Sequence, residues 1–305
     1  PHTLNAINGL ATLLDDLGRF EEAEAYERQV LESYRRVLGD DHPSTLTAIN
    51  NLGRTLQSRS QFEEAERCFR EALEAQRRTL GDDHQDTLVS IHNMGAFLQA
   101  LDRMAEAEAW LRESFEGCRR VLGDDHPQTL ASLKYLGDVL VRQGKLDQAE
   151  RYYRPLLAAR RRVLGEDHRH TLSTANSLGL MFLNQGKLDD AEPLLREALD
   201  GFRRVLGDDH RDTLNLLNNM AVLLRASGKL DEAEPLFREA LDGQRRVLGE
   251  DNVTTLHSIR NMGSVLAAMH RPEEAEVFCR EALDGFRRVL GEGNRHTGQA
   301  LTELG

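Results

Sequence analysis

Cysteine is scarce in this chain, which has only Cys68, Cys118 and Cys279. Three scattered cysteines cannot form a disulfide framework, so we expect small buried side chains in a reducing, cytoplasmic compartment. Long apolar runs are also missing. No segment approaches the ~20 apolar residues that a bilayer span requires, and no signal peptide is recognisable. We therefore expect a cytoplasmic protein that has no membrane partner.

An excess of basic charge is absent as well. The 305 residues include 39 Lys and Arg against 51 Asp and Glu, which gives a net charge of −12. A general nucleic-acid-binding protein needs a basic face to neutralise phosphates, so we expect no nucleic-acid partner. No nucleophile–base pair, phosphate-binding glycine loop or paired-cysteine motif stands out. We expect neither an enzyme nor a cofactor in these residues; a catalytic domain would have to lie outside them.

What the chain does contain is a repeat. The tripeptide Val-Leu-Gly, or a close variant, ends at Gly39, at Gly81 and at every 42nd residue up to Gly291. A fixed period of this size indicates an array of supersecondary units that share a continuous core. Residues 1–305 are therefore predicted to form one solenoid of seven full repeats and part of an eighth. Both ends fall inside the repeat pattern, so we expect a fragment of a longer protein whose ends, at Leu301, Leu304 and Gly305, self-associate.

Each repeat is predicted to contain two helices. In the second repeat, a first helix over residues 43–58 is indicated by apolar residues at three- and four-residue spacing: Leu46, Ile49, Leu52 and Leu56. A second helix over residues 62–80 has a buried stripe of its own: Ala65, Phe69, Ala72 and Leu73. Gly53, on the first stripe, suggests close helix approach, and Gly81 is the predicted C-cap. Nothing alternates with period 2, so the fold class is all-α.

These positions resemble the tetratricopeptide repeat. With Leu52-Gly53 as the Leu-Gly pair of that motif, Ala65, Phe69 and Ala72 match its Ala, aromatic and Ala positions. The usual repeat has about 34 residues, and the longer form found here is similar to the repeats of kinesin light chains. The similarity rests on Asn50-Asn51-Leu52, on Gln143-Gly144-Lys145 and on the linker Leu122-Gly123-Asp124-Asp125-His126-Pro127. It implies a right-handed superhelical solenoid of antiparallel helix pairs, with the first helices along a concave groove.

Two charged motifs also recur. The linkers carry Asp-Asp-His, for example at Asp82-Asp83-His84, and a carboxylate beside an imidazole could ligate a metal. We favour helix capping, because successive linkers are one repeat apart and the motif degrades to Glu250-Asp251-Asn252 without interrupting the array. The Arg-Arg pairs, from Arg35-Arg36 to Arg287-Arg288, could form an anion-binding ladder. Pairing with the linker acids at helix C-termini explains them better.

The groove-facing positions implied by the resemblance hold the candidate binding residues. Asparagine recurs among them, at Asn8, Asn50, Asn51, Asn93, Asn176, Asn218, Asn219 and Asn261. An asparagine side chain donates and accepts hydrogen bonds, so it can hold the backbone of an extended peptide, and in the family an Asn does so. Hydrogen bonds between neighbouring repeats are an equally good explanation. The two readings are compatible.

The groove is also predicted to be basic and partly apolar. Its cationic positions are Arg54, His92, Lys134, Arg142, Arg225, His257 and Arg260, against Asp15, Asp16 and Asp138. Its apolar positions are Tyr135, Val141, Leu180, Leu183 and Val222. We therefore expect an extended, partly acidic peptide to bind here, with the chain serving as the recognition or sensing part of a larger, bacterial signalling protein. The alternative is a structural or self-association module that uses its convex and end surfaces.

Overall fold

The structure is a computed structural model that describes residues 7, 9–11, 13–15 and 17–302 of the chain. This part of the protein contains helices and short turns but no strand. From α1 onwards the helices are α1 (Phe20–Leu38), α2 (Pro43–Ser58), α3 (Phe62–Leu80), α4 (Gln85–Ala100), α5 (Met104–Leu122), α6 (Pro127–Arg142), α7 (Leu146–Leu164), α8 (Arg169–Asn184), α9 (Leu188–Leu206), α10 (Arg211–Ala226), α11 (Leu230–Leu248), α12 (Val253–Ala268), α13 (Pro272–Leu290) and α14 (Arg295–Thr302). The described residues between 7 and 15 are also helical.

Two kinds of helix alternate along the chain. First helices of 16 residues (α2, α4, α6, α8, α10 and α12) are each followed by a second helix of 19 residues (α3, α5, α7, α9, α11 and α13). The predicted bounds of both helices in the second repeat are confirmed by α2 and α3. Their predicted apolar stripes are buried, and Gly81 ends α3 at φ +86° with its N–H donated to the Arg77 carbonyl.

The small residue in each first helix marks a close approach to the second helix. A Cβ added to Gly53 would lie 3.0 Å from Cε1 of Phe69, and one added to Gly95 would lie 2.6 Å from Cγ of Leu111. Ala221 occupies the equivalent position in α10 and is fully buried. The predicted close packing is confirmed, and its tightness differs from one repeat to the next.

The chain divides into two compact units, residues 1–159 and residues 160–305. In unit 1, helices α2 and α4 each pack between the second helices that precede and follow them. In unit 2, helices α10 and α12 do the same. Both units are thus built by the same repetition of helix pairs. The continuity of one solenoid over residues 1–305 stays a prediction.

The linkers revise the predicted role of Asp-Asp-His. Its histidine is the cap: Nδ1 of His126 accepts a hydrogen bond from the Gln128 N–H at 3.2 Å, and His42, His84, His168 and His210 make the same bond two residues on. Asn252 and Asn294 replace that acceptor with their side-chain oxygens, which explains why the motif tolerates Asn there. The carboxylates do not accept these capping bonds. They face arginines instead.

Arginines join the linkers to the helices, as predicted for the Arg-Arg pairs. Arg78 and Arg246, the second members of their pairs, bind Asp41 and Asp209 of the preceding linker at 2.5 Å. First members lie near the acid of their own linker, as with Arg77 Nε and Asp82 at 3.0 Å. These ion pairs are exposed, so each contributes on the order of 0–1 kcal/mol. They tie the C-terminal ends of the second helices to the linkers.

Three further predictions can be placed. Cys68, Cys118 and Cys279 are buried free thiols, as expected. The described helices include none that is both long and apolar enough to cross a membrane. Leu301 is exposed in α14, but Leu304 and Gly305 lie outside the described residues, so self-association of the ends stays a prediction.

Candidate functional site

The first helices present the predicted groove-facing side chains at their partly open face, which we call the groove face. Of the predicted binding residues that the structure describes, Asn50 is buried and the others are half-buried or exposed. Tyr135 is 38% exposed, and Leu180, Leu183 and Val222 are half-buried. Both leucines are therefore partly accessible on the groove face. Full burial of the two side chains would have contradicted the hypothesis that they contact an apolar ligand group. Asn8 and Asp16 lie outside the described residues.

In unit 1, a depression of about 410 Å³ brings together Arg54, Asn93, Tyr135 and Arg142. The rings of His92 and Tyr135 meet edge to face at 4.9 Å between centroids on its wall. An adjoining depression of about 460 Å³ is lined by Asn50, Asn51, Arg54 and Asn93. Five predicted groove residues, with His92 included, thus line the first of these depressions. The edge of Phe69, which sequence reasoning had assigned to the core alone, also lines it.

The predicted basic character is weakened in unit 1. Lys134 Nζ lies 2.6 Å from both carboxylate oxygens of Asp138. Arg142 Nη2 donates to Asp102 Oδ1 at 2.9 Å, and Arg54 Nη2 lies 3.4 Å from Asp15 Oδ2. Because each cation faces a carboxylate, little net positive charge is left for a ligand.

Both groove histidines are neutral rather than basic. Burial lowers the pKa of His92 to about 4. Burial, together with nearby Arg260 and His296, lowers the pKa of His257 to about 4 as well. Nδ1 of His92 lies 3.1 Å from the Ser132 hydroxyl, which fits a neutral ring. The interpretation of these two residues as groove cations was therefore wrong, because sequence gives the residue type but not its desolvation.

Unit 2 differs in charge. The groove positions of α8, α10 and α12 contain no Asp or Glu. Arg225 Nη1 donates to the Ser264 hydroxyl, and Arg260 Nη1 lies 3.3 Å from Oε1 of Gln299. The Ser264 hydroxyl is neutral, so it orients the Arg225 guanidinium group without cancelling its charge. Arg225 thus differs from the cations of unit 1, which face carboxylates.

The asparagines link neighbouring first helices, as one of the two readings proposed. Asn219 Nδ2 donates to Asn176 Oδ1 at 3.1 Å, and Asn261 Nδ2 donates to Asn218 Oδ1 at 3.0 Å. A side-chain amide has two N–H donors and a carbonyl that accepts two bonds, so one such bond does not exhaust it. All four side chains are half-buried. The inter-repeat reading is confirmed for these pairs, and peptide binding stays compatible with it.

A smaller depression in unit 2, of about 210 Å³, brings Asn176 and Asn219 together with Ser173 and Asn215. Sequence reasoning did not select Asn215, although the repeat register that found Asn218 also places it at a groove position. The depression is also lined by Arg169 and Asp212 and by the apolar Phe202 and Leu216. Its asparagines and serine can bind a peptide backbone, and Asp212 places one acid at its edge. The apolar residues Leu180, Leu183 and Val222 belong to the same unit.

The sequence pattern of the tetratricopeptide repeat matches residues 2–78, 50–96, 86–162, 134–204, 171–246 and 212–276. The chain belongs to the tetratricopeptide repeat family. The tetratricopeptide repeat is a general scaffold for protein–protein interaction, and its helix pairs account for the alternation described above. The resemblance drawn from Leu52-Gly53 and its neighbours is confirmed.

Solved structures share this tetratricopeptide fold. A putative kinesin light chain of Podosopora anserina with nearly identical TPR-like repeats aligns with a TM-score of 0.60 and 24% identity, covering 67% of this chain and 97% of that one. BtubC (BKLC) of P. vanneervenii aligns with a TM-score of 0.62 and 20% identity, covering 78% of this chain and 93% of that one. The apo form of the quorum sensor NprR of B. thuringiensis aligns with a TM-score of 0.60 and 12% identity, covering 93% of this chain and 87% of that one. No curated protein sequence matches the chain.

Proposed function

We propose that this tetratricopeptide repeat array binds an extended, partly acidic peptide of a partner protein on its groove face, as the recognition part of a larger protein. The observation that carries the proposal is the composition of the groove positions in unit 2. Arg225 has a neutral hydrogen-bond partner there, and the groove positions around it hold apolar side chains and asparagines rather than Asp or Glu. This combination suits a ligand that has carboxylates, an apolar anchor and a free backbone.

Each part of the unit 2 groove has a separate energetic role. Burying one leucine or aromatic anchor against Leu180, Leu183 and Val222 would contribute roughly 1.5–3 kcal/mol. Exposed arginines add mainly long-range steering and selectivity for acid, and salt screens both effects. The half-buried asparagines would hold the backbone without reading its sequence. Affinity should therefore depend on the anchor, and selectivity on Arg225.

The test is a fluorescence anisotropy titration with two labelled extended peptides that share a leucine anchor. One peptide carries glutamates beside the anchor, and the other carries glutamines. The wild-type protein should bind the glutamate peptide more tightly, and added salt should reduce this preference. Leu183→Asp should abolish binding of both peptides, because a charge replaces part of the apolar contact.

One arginine variant and one lysine variant test whether unit 2 binds the acidic residues of the peptide. Arg225→Ala should weaken binding of the glutamate peptide several-fold, in a salt-dependent way. Lys134→Ala is the matched control and should have little effect, because Asp138 already neutralises that lysine. If Lys134→Ala weakened binding as much as Arg225→Ala, unit 2 would not be the acid-binding part. If Leu183→Asp bound normally, the groove face would not be the site.

A further inference from the structure

The second helices carry a repeating ion pair that we call the Arg–Glu clip. In five repeats, the first arginine of the Arg-Arg pair binds a glutamate 36 residues later, on the next second helix. The clip is present at Arg35–Glu71, Arg77–Glu113, Arg161–Glu197, Arg203–Glu239 and Arg245–Glu281. Arg119 occupies the same position on α5, but the residue 36 positions later is Pro155. The clip is therefore open at this place in unit 1.

Arg119 is exposed as a consequence. Its side chain is 60% exposed, whereas the arginines of the five complete clips are 31–41% exposed. Among the described residues, the one carboxylate within 4 Å is that of Asp124, whose Oδ1 lies 3.8 Å from the Arg119 Nε. That distance is too long for a hydrogen bond. The guanidinium group thus keeps its donors available for a carboxylate.

An aromatic surface adjoins the open clip. The Arg119 Cζ lies 5.7 Å from the ring centroid of Phe115, and the rings of Phe115 and Tyr152 meet edge to face at 6.0 Å. Phe115 takes a position that is leucine in the other repeats, where Leu73 and Leu157 are buried. Phe115 and Tyr152 are both half-buried. Apolar area and an available cation are therefore side by side.

Pro155 removes a backbone hydrogen bond from the helix that contains it. It lies in the interior of α7, where a proline has no N–H to donate to the carbonyl of Arg151, four residues earlier. Glutamate, which occupies this position in complete clips, would make that helix bond and would also bind the arginine. Folding alone therefore favours glutamate here, and the open clip needs another explanation.

We propose that Phe115, Arg119, Tyr152 and Pro155, the open-clip patch, form a docking surface for a partner-protein segment that presents a Glu or Asp carboxylate beside an apolar side chain. The partner carboxylate takes the place of the missing glutamate on Arg119, and its apolar neighbour covers Phe115 and Tyr152. Charge complementarity with the vacant clip selects an acidic partner. The patch is on the second helices and is independent of the groove face.

A displayed library of random short peptides tests the proposal. The library is selected on the full chain and depleted on the Pro155→Glu variant, in which the clip is closed internally. We expect enriched peptides that contain an acid next to an aliphatic or aromatic residue. Their affinity should fall at least tenfold for Pro155→Glu and for Arg119→Ala, whereas the groove variant Leu183→Asp should still bind them.

Stability measurements separate loss of the patch from loss of the fold. Pro155→Glu should melt at a higher temperature than the wild type, because it restores a helix bond and the clip. Arg203→Ala is the matched control: it breaks a complete clip elsewhere, and should still bind the peptides. The proposal is overturned if no acidic peptide distinguishes the wild type from Pro155→Glu, or if Arg119→Ala binds the selected peptides unchanged.

Discussion

Glu27 should make the stability of the array depend on pH. This side chain on α1 is only 3% exposed. The equivalent positions in the next second helices hold Phe69, Leu111 and Tyr153, all buried. Burial raises the pKa of Glu27 from 4.5 to about 7, and Asp15 adds to this effect while a hydrogen bond with Thr55 opposes it. The folded state therefore favours the protonated carboxyl.

The sign and size of the effect follow from linkage. A pKa that is raised on folding contributes stability that is complete below the unfolded value of 4.5 and is lost as the pH rises through about 7. At ~1.36 kcal/mol per unit of pKa, the fully ionised carboxylate destabilises the native state by roughly 3 kcal/mol. Most of this loss should occur between pH 5 and pH 8.

The perturbation is Glu27→Gln, which keeps the shape of the side chain and removes its charge. Urea unfolding of both proteins, followed by circular dichroism from pH 5 to pH 8, gives the difference in unfolding free energy at each pH. Other titrating groups are shared and cancel in this difference. The variant should gain roughly 2–3 kcal/mol relative to the wild type across this range. Hydrogen exchange of the α1 amides should show the same trend, since arrays open locally. Parallel stability curves would refute the reasoning.

Packing and capping give further predictions. Gly95→Ala should destabilise the array by roughly 1–2 kcal/mol in thermal unfolding, because its Cβ would lie 2.6 Å from Cγ of the buried Leu111. Gly53→Ala should be nearly neutral, because its Cβ would meet the Phe69 ring at 3.0 Å and the gain in helix propensity offsets that contact. Equal losses of stability in the two variants would contradict this difference. His126→Ala should cost about 1 kcal/mol by removing an N-cap acceptor, whereas His126→Asn should keep it, as Asn252 does in α12. A stable alanine variant, or an unstable asparagine variant, would argue against capping by His126.

The sequence by itself determined the repeat, the helix pairs and the buried stripes. These features depend on contacts between residues three or four apart, or on a backbone preference at one position. The bounds of α2 and α3 and the C-cap at Gly81 could be predicted for this reason. Gly53 was recognisable as a close-approach position because only a small side chain fits between two packed helices.

Charge on the groove face was decided by the tertiary structure. The neutrality of His92 depends on its desolvation, and the charge of Arg142 is compensated by Asp102, 40 residues away. The tertiary structure also decided that the linker histidine, and not an aspartate, caps the N-terminus of the first helix. A sequence shows which side chains are present, but pairing and burial depend on the distances between helices of different repeats. For that reason the family and fold could be predicted in detail, whereas the contrast between the paired cations of unit 1 and Arg225 in unit 2 required the folded chain.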